Sequence, residues 1–199
     1  IDPLFSLPLL TLTVWGAWRS RVWFPRAAAI FCTCYLVFAF APHRQAQSAQ
    51  HALITQREHA AERQVVKPSI GNVFLHRSVY LYDGVYHVDA IHVVPGLAPK
   101  IYPGGQVNAF EEKQPVKDVA RFDRLSNGFL CQHPGEADVI GDIRYGMLPT
   151  STVPLWGIKI NRAQPDEPVR FVKYREANKA DLNRFYQMLF RRESLPGQQ

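Results

Sequence analysis

Two apolar runs within the first 42 residues constrain this chain more than any other feature. From Leu4 to Trp18 no residue is charged; Arg19, Arg21 and Arg26 follow, and a second run extends from Val22 to Ala41 with Pro25 and Arg26 near its start. A helix needs about 20 predominantly apolar residues to cross a bilayer. The second run has that length, and Pro suits the first turn of a helix. The first run is shorter. It is completed by Ile1–Pro3 and residues upstream, or by Trp15 and Trp18 at the interface while Arg19 and Arg21 snorkel. The sequence starts at Ile1, without Met and already at the mouth of an apolar run, so the expectation is a membrane domain that continues upstream. A secretory signal fits poorly: there is no basic start, Asp2 occupies it, and Arg follows where a small-residue cleavage site belongs.

The turn between the runs carries three Arg and no acid. By the positive-inside rule it faces the cytoplasm, which puts Asp2 and everything after Ala41 on the opposite side. The expectation is a multi-pass protein of the inner (plasma) membrane with an extracytoplasmic C-terminal domain and lipid as a partner.

The net charge of +6 and the pI near 9.4 do not mark a nucleic-acid binder. Three Arg face one acid in residues 1–42, three Arg face two Glu in 43–66, and 17 basic face 14 acidic residues in 67–199. No segment is a basic stripe, so no nucleic-acid partner is expected. Of the three cysteines, Cys32 and Cys34 sit two apart on a helix and point away from each other, and Cys131 is alone. No disulfide framework follows.

Residues 43–66 lack Gly and Pro and are rich in Ala, Gln, Arg and Glu, which reads as a polar helical stalk leaving the membrane, ended by Lys67-Pro68. Residues 67–199 read as a soluble β-rich domain. Asn72–Tyr82 and Val85–Val94 alternate around Asp83-Gly84, a hairpin signal. That pairing sets Val73 opposite Val94, Val79 opposite Val88 and Leu81 opposite Tyr86 on an apolar face. The other face carries His76, Ser78, Tyr80, His87 and Asp89. Pro95–Gly105 reads as a loop. Gly128–Cys131, Ala137–Tyr145, Val153–Asn161 and Val169–Tyr174 are further strands, separated by turns at Asn127-Gly128, Pro134-Gly135 and Pro165-Asp166. Leu182, Phe185, Tyr186, Leu189 and Phe190 recur at helical spacing in a closing helix over Ala177–Arg192, before Pro196-Gly197. The fold class is therefore an α+β membrane protein: two transmembrane helices (1–42), a helical stalk (43–66) and a mainly antiparallel β domain with a C-terminal helix (67–199).

Little in these residues carries chemistry. His43, His51 and His59 recur every eight residues; on a helix they are roughly 12 Å and 80° apart and cannot share a metal, so a solvated face is expected. His87-x-Asp89-x-x-His92 resembles a metal motif in the flat sequence, but on a strand His92 points away and His76 is too distant from His87. No His-Glu-x-x-His, Gly-x-Ser-x-Gly, P-loop or dinucleotide fingerprint occurs, and Pro103-Gly104-Gly105 is a turn. Glu111-Glu112, Asp123, Asp138 and Asp142 read as solvated acids, and Arg121, Arg124 and Arg144 as surface ion-pair partners. Asp2, directly before Pro3 at the rim of an apolar span, suits a helix start. It also invites a polar role at the membrane face, where ionisable groups are costly.

The string Ile1-Asp2-Pro3-Leu4-Phe5-Ser6-Leu7-Pro8-Leu9-Leu10 resembles the segment entering a late transmembrane helix of the membrane-bound, predicted metal-dependent hydrolases of the YdjM-like family. Lys67-Pro68-Ser69-Ile70-Gly71-Asn72 with the hairpin at Tyr82–Val88 is similar to that family's post-membrane stretch. So are Arg121-Phe122-(x)5-Gly128-Phe129 and Asp142-Ile143-Arg144-Tyr145-Gly146-Met147. The resemblance spans most of residues 1–161. It implies the C-terminal portion of an integral membrane metallohydrolase. Its divalent metal (zinc is one option) and the His and Asp that hold it would lie in upstream transmembrane helices, the partners of this segment. The chain alone would then be silent, with Asp2 as the one visible residue near a catalytic site. The resemblance also extends to Asp142 and Arg144, expected here as a buried or half-buried pair fixing the β domain. The alternative is a non-enzymatic, membrane-anchored β module that binds an envelope partner through an aromatic patch drawn from Phe74, Tyr80, Tyr82 and Tyr86.

Overall fold

In the structure, a computed structural model, the described residues are 2–19, 23–111, 117–161, 164, 168–175 and 178–192. Ile1, Arg21, Val22, Glu112, Pro165-Asp166, Ala177 and Pro196-Gly197, invoked above, lie outside them. The described residues form four helices and two antiparallel four-stranded sheets, an α+β fold.

Helix α1 (Pro3–Arg19) and helix α2 (Trp23–Gln56) form an antiparallel hairpin. Phe5 packs on Phe31 and Tyr35 at one end. At the other, a Cβ on Gly16 would lie 2.7 Å from Cβ of Phe24, so only glycine allows this approach. Among the described helices, α2 alone is long and apolar enough to cross a membrane. The 17 residues of α1 fall short of the two-span expectation: at about 1.5 Å per residue they rise less than the roughly 30 Å hydrocarbon layer.

Helix α2 passes through Pro42 without a break and becomes the polar segment. That segment is not a free stalk. Ala46, Ala49, Gln50, Leu53 and Ile54 are buried, a stripe at helical spacing that lies on the first sheet. The helix ends at Gln56, and residues 63–66, expected to be helical, enter strand β1 (Arg63–Pro68).

The first sheet has the order β1, β2 (Leu75–Tyr82), β3 (Val85–His92), β4 (Lys100–Asn108). The β2–β3 register is the one the alternation requires: Val79 pairs with Val88 and Leu81 with Tyr86. Asp83 and Gly84 take φ of 50° and 71°, the left-handed turn that suits this twist. Strand β4 was expected to be a loop. Its Pro103 is tolerated because β4 is an edge strand and the register shifts between His87 and Asp89. Gly104 is required here, since a Cβ would lie 2.2 Å from the Val88 carbonyl oxygen.

Helix α3 (Lys117–Ser126), not foreseen, precedes the second sheet: β5 (Leu130–Gln132), β6 (Val139–Asp142), β7 (Trp156–Lys159) and β8 (Arg170–Lys173). Helix α4 (Lys179–Leu189) closes the described chain with a capping box, Asn178 and Asp181 each accepting from the other's backbone N–H. The layers run α2, first sheet, second sheet, α3. Val79, Leu81, Tyr86 and Val88 meet Phe129, Cys131 and Ile143 between the sheets. Val119 and Phe122 of α3 cover Leu130, Ile140 and Ile158 behind.

A buried cation sits inside this sandwich. Arg77 is 4% exposed, and its guanidinium donates to the carbonyls of Ile143 (2.9 and 3.1 Å), Leu148 (3.1 Å) and Pro149 (3.0 Å). It thereby ties the irregular segment after β6 to the first sheet. Burial, partly offset by Cys131 and Asp142, pushes its pKa down to about 10, so it is still charged at neutral pH.

Candidate functional site

The polar face of the β2–β3 hairpin turns toward α2, and the end of α2 supplies the partners. Arg57, one residue past the helix, holds both oxygens of Asp89 at 2.7 and 3.0 Å. The same guanidinium donates to the Tyr80 hydroxyl at 3.0 Å, and His59 Nδ1 lies 3.0 Å from that hydroxyl. The His87 ring stacks on Tyr80 with centroids 4.8 Å apart, and His59 stacks on Tyr82 at 4.1 Å. Burial raises the Tyr80 pKa against the opposing pull of Arg57. It lowers that of His87, with further lowering from His59 and Arg57. Because Arg57 engages both Asp89 oxygens, this carboxylate fits an ion-pair clamp rather than a metal ligand. Further along α2, Gln50 Nε2 lies 2.9 Å from Ser78 Oγ and 3.1 to 3.2 Å from the carbonyls of Val65 and Val79.

The solvated face expected of His43, His51 and His59 holds for the exposed His51 alone; His43 on α2 and His59 just beyond its end are half-buried. His43 sits against His76 (ring centroids 5.8 Å), His51 beside Gln64 (3.3 Å), and His59 in the cluster above. Because α2 ends at Gln56, the eight-residue repeat is not one helical face, and His59 reaches its cluster from the turn after the helix.

The proposed aromatic patch is also redistributed. Tyr86 is core between the sheets, Tyr80 is wholly buried under the end of α2, and Phe74 packs edge-on against Phe38. A different aromatic surface appears instead. A cleft of about 650 Å³ lies between α3 and the second sheet, walled by Phe122, Tyr145, Trp156 and Phe171 with Arg121 and Arg144 at its rim. Tyr145 and Trp156 pack at 4.6 Å. Arg144 is bound to Asp142 through two bonds of 2.7 and 2.9 Å with both side chains largely buried, so Asp142 is not the solvated acid nor Arg144 the surface ion-pair partner that their type alone suggests, and the buried pair is the arrangement found. Arg121 is 65% exposed and held only loosely by Asp118 at 3.5 Å. Asp118 and Asp142 line the cleft too, each beside one of the two arginines, so the group left to meet a ligand is the exposed, loosely held Arg121 beside aromatic faces, which suits an acid next to an apolar or ring-bearing group. The sequence signal for it was scattered over 50 residues and showed no spacing.

Asp2 begins α1. Its Oδ1 accepts from the Leu4 amide at 2.9 Å, its carbonyl accepts from Ser6 at 2.9 Å, and its Oδ2 accepts from the Tyr35 hydroxyl of α2. It caps one helix and ties it to the next. Among the described residues no three His, Cys, Asp or Glu side chains converge to hold a metal, so these residues do not make up a metal site by themselves. No family model, curated protein or solved structure matches this chain.

Proposed function

We propose that this chain is an integral membrane protein whose α1–α2 hairpin holds a non-enzymatic β module at the extracytoplasmic face of the inner membrane. What carries the reading is one continuous helix. Helix α2 begins in an apolar stretch with Ile30, Leu36, Val37 and Phe40 exposed, and ends clamped on the first sheet through Gln50 and the Arg57–Asp89 pair. A rigid helix of this kind holds the domain at fixed height and orientation, which a binding module needs and a tethered domain lacks. The partner surface is the cleft between α3 and the second sheet, and its ligand is an acidic segment with an apolar or aromatic neighbour.

The test is calorimetric titration of the chain in nanodiscs with acetyl-phenylalanyl-aspartate. Saturable binding that is lost in Arg121→Glu is expected. Absence of saturable heat, or binding unchanged by that substitution, would remove the cleft as the partner site.

A second reading, the C-terminal portion of a membrane metallohydrolase, draws on the family resemblance and on one observation: a carboxylate, Asp2, paired with Tyr35 within the apolar hairpin, where ionisable groups are costly and often functional. Its metal ligands would come from outside this chain. Zinc content of the natural full-length protein that falls in Asp2→Asn would favour it; a metal-free protein would end it.

A further inference from the structure

Three stretches far apart in sequence meet at the end of the first sheet from which the apolar half of α2 emerges. Pro68 pairs with His76, Leu75 with His92, and His92 with Lys100, so the loops 69–74 and 93–99 share that end. The last turn of α4 joins them: Tyr102 donates to the Met188 carbonyl at 3.3 Å and Arg191 to the Ala98 carbonyl at 3.2 Å. Each stretch ends in an uncovered apolar tip. Ile70 is 65% exposed, Leu97 54% and Phe190 63%.

Their level along α2 is fixed by contacts. Phe38 meets Phe74 edge-on with centroids 6.1 Å apart, and Gln45 donates to the Leu97 carbonyl at 3.0 Å. Phe38 and Gln45 bracket the point where the helix changes from apolar to polar, the place where a bilayer would end. The three stretches and the α2 segment beside them carry cations and no acid of their own; the nearest described carboxylate, Asp2, is bound to Tyr35 one turn before Phe38. Residues 38–50, 69–74, 93–99 and 187–192 contain no Asp or Glu and hold Arg44, Arg191 and Arg192. The Arg44 guanidinium lies 5.9 Å from the Phe40 ring and that of Arg192 6.0 Å from the Phe190 ring, each pairing an apolar body with a charged tip. Apolar side chains backed by the Arg44 and Arg192 guanidiniums match an interfacial layer over anionic headgroups.

We propose that this end of the β domain is seated on the bilayer that holds α2, with Ile70, Leu97 and Phe190 in the interfacial layer and Arg44 and Arg192 facing anionic headgroups. The proposal rests on the membrane-anchored reading above. The domain would then stand on three apolar feet around its anchor, with the β2–β3 turn pointing away from the lipid.

The test uses the full chain in phosphatidylcholine–phosphatidylglycerol vesicles. Single cysteines replace Val37, Ile70, Leu97, Phe190 or, at the far end of the sheet, Asn108, in a background of C32A and C34A that keeps the buried Cys131. Each is labelled with bimane and exposed to shallow brominated lipid or to aqueous iodide. The proposal expects loss of emission to brominated lipid at 37, 70, 97 and 190, and loss to iodide alone at 108. Lipid quenching at 37 with iodide quenching alone at 70, 97 and 190 overturns the seating and leaves the anchor standing. Shielding of those three from both quenchers means that a protein or second copy covers the face, and also overturns it. No lipid quenching at 37 removes the anchor and the seating together.

Discussion

The Arg57 guanidinium grips both carboxylate oxygens of Asp89, at 2.7 and 3.0 Å, across 32 residues of sequence and one residue beyond the end of the anchor helix. Asp89 is almost fully buried and Arg57 about a quarter exposed. Removing one partner leaves a buried charge behind, at a cost of about 3 kcal/mol, reduced somewhat by the water that reaches Arg57. Arg57→Leu should therefore destabilise the domain more than the double variant Arg57→Leu/Asp89→Leu does. Urea unfolding of the two single variants and the double checks this; additive losses would mean the pair is not coupled.

Arg77 should resist even conservative exchange. Its fork satisfies the carbonyls of Ile143, Leu148 and Pro149 at once, which a Lys ammonium cannot do in that geometry. Arg77→Met leaves buried acceptors unpaired and should cost about 3 kcal/mol. Arg77→Lys should recover less than half of it, as read from the unfolding midpoint.

Gly104→Ala should destabilise by at least about 2 kcal/mol, the range of overpacking. The added Cβ meets backbone oxygens of Val88 at 2.2 Å and Thr150 at 2.7 Å, which have no flexible end to move aside. Gly84→Ala, with open space around its Cβ, pays only for its φ of 71° and should cost less. Thermal unfolding of the two variants side by side decides it.

Stability should fall on mild acidification. Burial, with His43 and His92 adding to it against a backbone hydrogen bond at Phe74, lowers the His76 pKa from 6.5 to about 4. Between those values the unfolded chain holds a proton that the native chain refuses. The contribution is thus full above about pH 6.5 and is lost as pH falls toward 4, up to about 3 kcal/mol. His87 and His92 are lowered as well and act in the same direction. His76→Gln should flatten the dependence without abolishing it, measured as unfolding free energy at pH 7.5, 6 and 5.

Cys131 should be inert to maleimide in the folded protein and react only in denaturant. It is wholly buried between the sheets, and burial pushes its thiol up to about 12. Membrane orientation must therefore be mapped from an exposed position such as Asn108→Cys.

The parts legible in the sequence were those carried by neighbours along the chain. Asp83-Gly84 set the hairpin, and the alternation on either side set its register. The spacing of Leu182, Phe185, Tyr186 and Leu189 pointed to α4. The docking of residues 46–54 was missed because its sheet-facing stripe is largely Ala and Gln, which count as polar stalk until a strand lies beneath them. Strand β4 was missed because Pro103-Gly104-Gly105 mimics a loop and is allowed only by an edge position and a bulge. The α3 cleft gave no signal, since Arg121, Tyr145, Trp156 and Phe171 have no periodic relation.

By itself the sequence determined an apolar N-terminus, a polar helix and a β-rich remainder, because hydrophobic periods of 3.6 and 2 are local properties. Only the tertiary structure decided that the polar helix lies on a sheet, that Arg57 meets Asp89, that Arg77 is buried against three carbonyls, and that loops 69–74 and 93–99 meet the end of α4. Those contacts join residues tens of positions apart. Their partners are chosen by strand order and packing, which no local pattern encodes.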